Sequence, residues 1–146
     1  MNDDFLDLLR ALQSAGARFL VVGAHAMAVH GVPRSTGDLA VWVSPEAENA
    51  IRVWEALDAF APVADLGMSL DDLRRPKVVL QLGVPPRRID LLTGLDALTF
   101  AAAWESRVEH QVGPLLVPFL GRADLIRNKK ATGRPKDLAD AEALDS

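Results

Sequence analysis

Phe5, Leu8, Leu9 and Leu12 recur at i, i+3, i+4 and i+7, the spacing of one apolar helical face. Asn2 or Asp3 stands where a cap belongs, and Gly16 follows as a stop. Phe19-Leu20-Val21-Val22 is different in kind: a continuous apolar run with two β-branched residues, closed by Gly23, which reads as a strand buried on both faces. Ala24 to His30 is small and helix-permissive and ends at Gly31 and Val32-Pro33, so a short helix opens where that strand stops. Asp38 to Val43 is a second strand. After it, Ser44-Pro45-Glu46 offers an N-cap, a proline at the first helical position and an acid in the first turn. Ala47, Ile51, Trp54 and Leu57 then form one helical stripe.

The pattern weakens from Asp65 to Pro76, where a turn and one helical turn are expected. Val78 to Leu82 and Arg88 to Leu92 read as two strands joined by Gly83-Val84-Pro85-Pro86, a connection short enough for a hairpin. Phe100 to Ser106 reads as a helix, and Val108 to Val112 with Leu115 to Phe119 as strands around Gly113-Pro114. Leu120 to Ala131 and Lys136 to Leu144 close the chain as two helices split by Gly133-Arg134-Pro135. This order predicts an α/β (α+β) fold, a mixed β-sheet flanked by helices, without internal repeats. The 146 residues suit one domain, 1–146.

Composition narrows the chemistry. With 49% hydrophobic and 25% charged residues the chain is not disordered, collagen-like or a coiled coil. Sixteen basic against twenty acidic residues give a net charge of −4, so any polyanion site must be local. The absence of cysteine excludes disulfides, thiolate metal sites and a cysteine nucleophile, and makes the cytoplasm the natural compartment. Met1-Asn2-Asp3-Asp4 is too acidic for a signal peptide, and no apolar run approaches the roughly 20 residues of a membrane span. A soluble protein with no membrane partner is expected.

Four segments carry candidate chemistry. Gly23 stands between a strand and a helix, where backbone N–H groups and a close approach would suit a phosphate; a plain tight turn is the alternative. No dinucleotide or phosphate-loop glycine fingerprint is present. In Arg34-Ser35-Thr36-Gly37-Asp38-Leu39-Ala40-Val41-Trp42, strand alternation puts Asp38, Ala40 and Trp42 on one face. A carboxylate at Asp38 is either solvated at the sheet end or meets a cation; a helix or turn cap is the alternative. In Arg88-Ile89-Asp90-Leu91-Leu92, Asp90 interrupts an apolar strand, a position aspartate disfavours. Two aspartates on separate strands beside a glycine turn suggest a hard cation holding a nucleoside triphosphate; a salt bridge from Asp90 to Arg87 or Arg88 is the alternative. Finally, Arg127 to Lys136 holds five basic and no acidic side chains, either a polyanion footprint or a solvated helix face.

In this order the four pieces resemble the nucleotidyltransferase superfamily, the polymerase-beta-like fold, and especially its small bacterial branch related to AbiEii-type toxins and minimal nucleotidyltransferases. Val22-Gly23-Ala24-His25-Ala26 and Gly31 to Asp38 look like the glycine turn and the start of an Asp-x-Asp strand, and Arg88 to Leu92 looks like the strand of the third Asp. Asp124-Leu125-Ile126 to Lys129, then Gly133 to Leu138 and Asp140, resemble the C-terminal segment of the branch. The resemblance implies transfer of NMP from an NTP to a hydroxyl on RNA, such as tRNA, or on protein, by the toxin of a toxin-antitoxin pair with a cognate antitoxin. It implies Gly23, Ala24, Arg34, Ser35, Thr36 and Lys129 as nucleotide-binding residues, with Lys129 on the triphosphate. Asp38 and Asp90 would then ligate Mg²⁺ or Mn²⁺.

One departure matters: Ala40 stands where the family pattern has the second Asp. A methyl group binds no metal. The resemblance therefore implies retained nucleotide binding with damaged activation of the nucleophile, or, as the alternative, a non-catalytic nucleotide-, RNA- or partner-binding module. The persistence of Arg34, Thr36, Asp90 and Lys129 favours an engineered or recent loss. His25 and His30 read as helix-packing residues and Trp42, Trp54 and Trp104 as core or interface residues, with base stacking on Trp42 as the alternative role.

Overall fold

The computed structural model describes residues 1–34, 37–61, 66–84 and 87–146. Helix α1 (Asp3–Ser14) begins where Asn2 Oδ1 accepts the Phe5 N–H at 2.9 Å, so Asn2 is the cap. Its Phe5, Leu8, Leu9 and Leu12 are buried, as their spacing predicts. Strand β1 (Phe19–Val22) is buried at every position and runs straight into α2 (Gly23–Val29). Then come β2 (Leu39–Val43), α3 (Ala47–Phe60), α4 (Leu70–Arg74), β3 (Val79–Leu82), β4 (Ile89–Leu92) and α5 (Phe100–Glu105). Strands β5 (Val108–Val112) and β6 (Leu115–Phe119) and helices α6 (Arg122–Thr132) and α7 (Pro135–Asp145) complete the chain. The α/β expectation holds, with a six-stranded mixed sheet and seven helices among the described residues.

The sheet order is β3-β4-β2-β1-β6-β5. Pairs β1–β2, β3–β4 and β5–β6 are antiparallel; β2–β4 and β1–β6 are parallel. The two central strands, β2 and β1, are buried almost throughout, which is why their sequences read as apolar runs. Helices α1 and α3 pack on each other, as do α6 and α7. Gly133 ends α6 in the left-handed conformation (φ 71°), and Pro135 opens α7 at once.

Local expectations are corrected at α3 and β2. The cap of α3 is Glu46 rather than Ser44, so Pro45 lies before the helix. Its buried residues are Asn49, Ala50, Val53, Ala56 and Leu57, while Ile51 is 42% exposed. The phase is set by Asn49, whose amide donates to the carbonyls of Arg18 and Ser44 and accepts the Arg18 N–H at 2.7 Å. Three backbone groups are satisfied at once, and that turns the helix so that Asn49 faces inward. Strand β2 begins at Leu39 rather than Asp38, because Asp38 spends a side-chain oxygen on the Arg88 N–H (3.2 Å) and the first ladder bond runs from Leu39 N–H to the Arg88 carbonyl (3.0 Å).

Candidate functional site

Of the predicted residues, the sheet brings Gly23 and Asp90 to position 40, with Asp38 next to them. Ala40 pairs with Val22 on one side and with Asp90 on the other, and Asp90 pairs in turn with Gln81. Residues in register across neighbouring strands project to the same face, so Ala40 and Asp90 stand side by side. Asp38 and Arg88, each immediately before its strand, meet beside them: Asp38 Oδ1 accepts the Arg88 N–H at 3.2 Å. Gly23 closes the row from the β1 end at φ 68°, and a Cβ built on it would lie 3.2 Å from that of Ala40. Val22, the N-cap of α2, has no side-chain acceptor to offer, so the N–H groups opening that helix at Gly23 and Ala24 receive no cap from it.

Arg88 dominates the electrostatics. Its Nε donates to Asp90 Oδ1 at 2.9 Å and its Nη2 to Asp90 Oδ2 at 3.4 Å, while the same Nη2 lies 3.5 Å from Asp38 Oδ2. Asp38 Oδ1 takes the Arg88 backbone N–H. All four carboxylate oxygens therefore face one arginine, and the side chains of the three residues are 21–30% exposed. Asp90 forms the salt bridge that the sequence left open against metal binding. A two-ion Mg²⁺ or Mn²⁺ site needs a set of convergent oxygen ligands. Here two carboxylates are engaged by a cation, position 40 supplies a methyl group, and no three His, Asp or Glu side chains among the described residues stand close enough to share an ion. The residues present do not fit a pair of divalent ions.

His25, in the first turn of α2, packs its ring edge-on to Phe5 at 6.1 Å. Burial pushes its pKa below the ordinary histidine value, with help from the positive chain terminus and against a hydrogen bond to the Asp38 backbone. Its Nε2 is buried without a hydrogen-bond partner among the described residues. The neutral ring thus supports the backbone at Asp38. His30 bonds through Nε2 to the Leu120 carbonyl at 2.8 Å. Trp42 is 1% exposed and meets Phe100 edge-on at 5.1 Å, which closes its face to a stacking base. Trp104 stacks on Phe100 and carries Arg107 over its ring at 4.0 Å.

The basic segment lies in a second cluster. Lys129 Nζ is 3.2 Å from Asp140 and 3.7 Å from Asp137, and its side chain is 17% exposed. Arg34 donates to Asp140 Oδ1 through Nε and Nη2. Asp137 accepts from Arg134 and from the Thr132 hydroxyl. The Arg134 hydrogen bond, aided by Thr132 and Lys129, outweighs burial and holds Asp137 at a pKa of about 2. For Asp140, burial acts upward and is overcome by Arg34 and Lys129, leaving its pKa below the usual carboxylate range. With Arg127 paired to Asp124 at 3.2 Å, three of the five basic side chains of the segment are committed to carboxylates; Lys130 and Lys136 are exposed. Ser35 and Thr36 lie outside the described residues. Sequence alone does not pair Asp137 and Asp140 with Lys129 and Arg34, nor set Arg88 between two carboxylates; the Arg88-x-Asp90 spacing is the signal that points to the latter.

No protein-family model matches the chain, and no curated protein does. Solved structures do. A provisionally named nucleotidyltransferase from Thermotoga maritima, TM1012, superposes with a TM-score of 0.54 at 14% identity, covering 99% of this chain and 92% of that one. The aminoglycoside nucleotidyltransferase ANT(2″)-Ia, solved in complex with adenylyl-2″-tobramycin, gives 0.53 at 15% identity, covering 96% and 84%. At such identity the likeness speaks for architecture, and the architecture of this chain is the nucleotidyltransferase fold.

Proposed function

We propose that the chain is a nucleotide-binding member of the nucleotidyltransferase class, whose reaction moves NMP from an NTP to a hydroxyl, and that Ala40 impairs the transfer in this sequence. The register Ala40–Asp90, with Gly23 against Ala40, carries the reading: it puts position 40 where a carboxylate would join Asp38 and Asp90 on one face. In this class the acceptor oxygen bonds to the α-phosphorus, the bond to the β-phosphate oxygen breaks and pyrophosphate leaves. Loss of the acceptor proton needs a carboxylate free to take part. Asp38 and Asp90 are both engaged by Arg88, and Ala40 offers none.

The reading includes Gly23 and Ala24 as phosphate contacts and Arg34, Ser35, Thr36 and Lys129 as nucleotide contacts. Asp38, Asp90 and an aspartate at 40 would ligate Mg²⁺. It also includes an RNA or protein acceptor, a toxin role with a cognate antitoxin, and a cytoplasmic setting; no helix among the described residues is long and apolar enough to cross a membrane. ANT(2″)-Ia, bound to an adenylylated aminoglycoside, makes a small-molecule hydroxyl the comparison acceptor. The engagement of both carboxylates by Arg88 favours a second reading, a binding module without transfer.

Calorimetric titration with each of the four NTPs, with and without Mg²⁺, tests the binding. The parent chain is expected to bind NTP in the millimolar range. Ala40→Asp is expected to bind more tightly when Mg²⁺ is present and to label total RNA or cell protein from an α-labelled NTP. Absence of nucleotide binding by both proteins would overturn the nucleotide reading; binding without transfer by a folded Ala40→Asp would select the binding module.

A further inference from the structure

Arg88 touches both carboxylates of the central row. It reaches Asp90 through Nε and Nη2, Asp38 through the same Nη2, and Asp38 again through its own backbone N–H. An arginine fork is planar, permanently charged and shaped to take two carboxylate oxygens at once. Two carboxylates close together at the end of an apolar sheet, Asp90 in β4 and Asp38 just before β2, repel each other and raise the cost of the fold unless a cation lies between them. Mg²⁺ or Mn²⁺ would serve that purpose and needs the same oxygens. While the guanidinium holds those oxygens a divalent ion must displace it, and with a methyl group at position 40 no third carboxylate helps it to do so.

We propose that Arg88 is the resident counter-ion of the site, standing in for a divalent ion and keeping one out of this chain. The inference rests on the reading of Asp38 and Asp90 as the remnant of a metal-binding set, but its test uses metal alone and is blind to nucleotide. With Arg88 in place, the carboxylate pair and the guanidinium sum to one negative charge; without it they sum to two. A divalent ion a few ångströms away senses that extra unit charge strongly enough, even at a solvent-like dielectric, to bind at least about tenfold more tightly. Removing Arg88 should thus convert an unmetallated ion pair into a weak metal site.

The experiment compares the parent, Arg88→Gln and Arg88→Gln/Asp90→Asn by thermal melting in EDTA and in millimolar MnCl₂, with Mn²⁺ binding measured directly by electron paramagnetic resonance. The parent is expected to melt at the same temperature in both buffers. Arg88→Gln is expected to melt lower in EDTA, to recover part of the loss in Mn²⁺, and to bind Mn²⁺ at least about tenfold more tightly than the parent. The double variant, with one carboxylate charge gone, should lose the Mn²⁺ response and regain stability in EDTA. Should Arg88→Gln fold only when Mn²⁺ is supplied, the inference stands in its strongest form. Equal Mn²⁺ affinity of parent and Arg88→Gln, or no Mn²⁺ response from a folded Arg88→Gln, would overturn it. Failure of Arg88→Gln to fold in either buffer, with the double variant folded and equally insensitive to Mn²⁺, would make Arg88 a purely structural ion pair and also overturn it. None of these outcomes bears on whether NTP binds, so failure here is distinguishable from failure of the nucleotide reading.

Discussion

At the scale of single residues, the site is governed by charges that satisfy one another. Position 40 carries no charge, Arg88 absorbs the two that flank it, and Lys129 and Arg34 are absorbed in turn by Asp137 and Asp140. Acid should expose this arrangement in two stages. His25 has a folded pKa below its unfolded value, so the unfolded chain takes up the proton first; its contribution is present above about pH 6.5 and is lost as pH falls through the folded value. Asp137, held at about 2, contributes stability that is complete above about pH 4 and vanishes as pH drops through about 2. Asp140 acts in the same direction. Urea unfolding at a series of pH values should show stability declining below pH 6.5 and again below pH 4. His25→Asn should flatten the first decline and Asp137→Asn the second. A decline unchanged by either substitution would contradict these assignments.

At the scale of elements, the strand-to-helix turn is the tightest constraint. Gly23 sits at positive φ with the Ala40 methyl beside it, so Gly23→Ala adds a left-handed alanine and a contact of 3.2 Å. A loss of about 1–2 kcal/mol is expected from the backbone alone, read as the shift in urea midpoint at unchanged slope. No shift would mean that the turn relaxes freely.

Much at this scale was legible in the sequence. Strand β1 announced itself by four consecutive apolar residues because both its faces are covered, and α1 by its i, i+3, i+4 spacing. The hairpin β3–β4 followed from two apolar runs around a glycine and prolines. Helix α3 was legible as a helix but not in phase. Ala50, Val53 and Ala56 are small enough to suit surface or core, and the deciding residue, Asn49, is polar and buried for the sake of three backbone partners. The run from Arg127 to Lys136 looked like a polyanion footprint because its counter-charges lie across the Gly133 turn or in the preceding turn of α6, and only the folding of α7 onto α6 brings Asp137 and Asp140 to Lys129.

At the scale of the whole molecule, the C-terminal hairpin of α6 and α7 is fastened to the segment leading into β2 by the pair Arg34–Asp140, with Lys129 between the helices. Lys129→Met should therefore cost stability as well as any nucleotide affinity. Asp137 keeps Arg134 and Asp140 keeps Arg34, so the loss should fall to about 1–3 kcal/mol, below the about 3–5 kcal/mol of a buried charge left alone. If unfolding free energy is unchanged and only NTP binding falls, Lys129 belongs to the ligand rather than to the hairpin. The sheet places Gly23, Ala40 and Asp90 side by side, with Asp38 next to them.

The direct measurement is the melting temperature of the parent chain and of Ala40→Asp, each with and without millimolar Mg²⁺ plus NTP. A third carboxylate beside Asp90 adds repulsion in the free protein and a ligand in the bound one. The variant should melt below the parent in EDTA and rise by several degrees with Mg²⁺ and NTP together, more than the parent does at the same concentrations, because a ligand bound only by the folded state stabilises it by mass action. A folded Ala40→Asp whose melting temperature responds to Mg²⁺ and NTP no more than that of the parent would contradict the assignment of position 40 to the site.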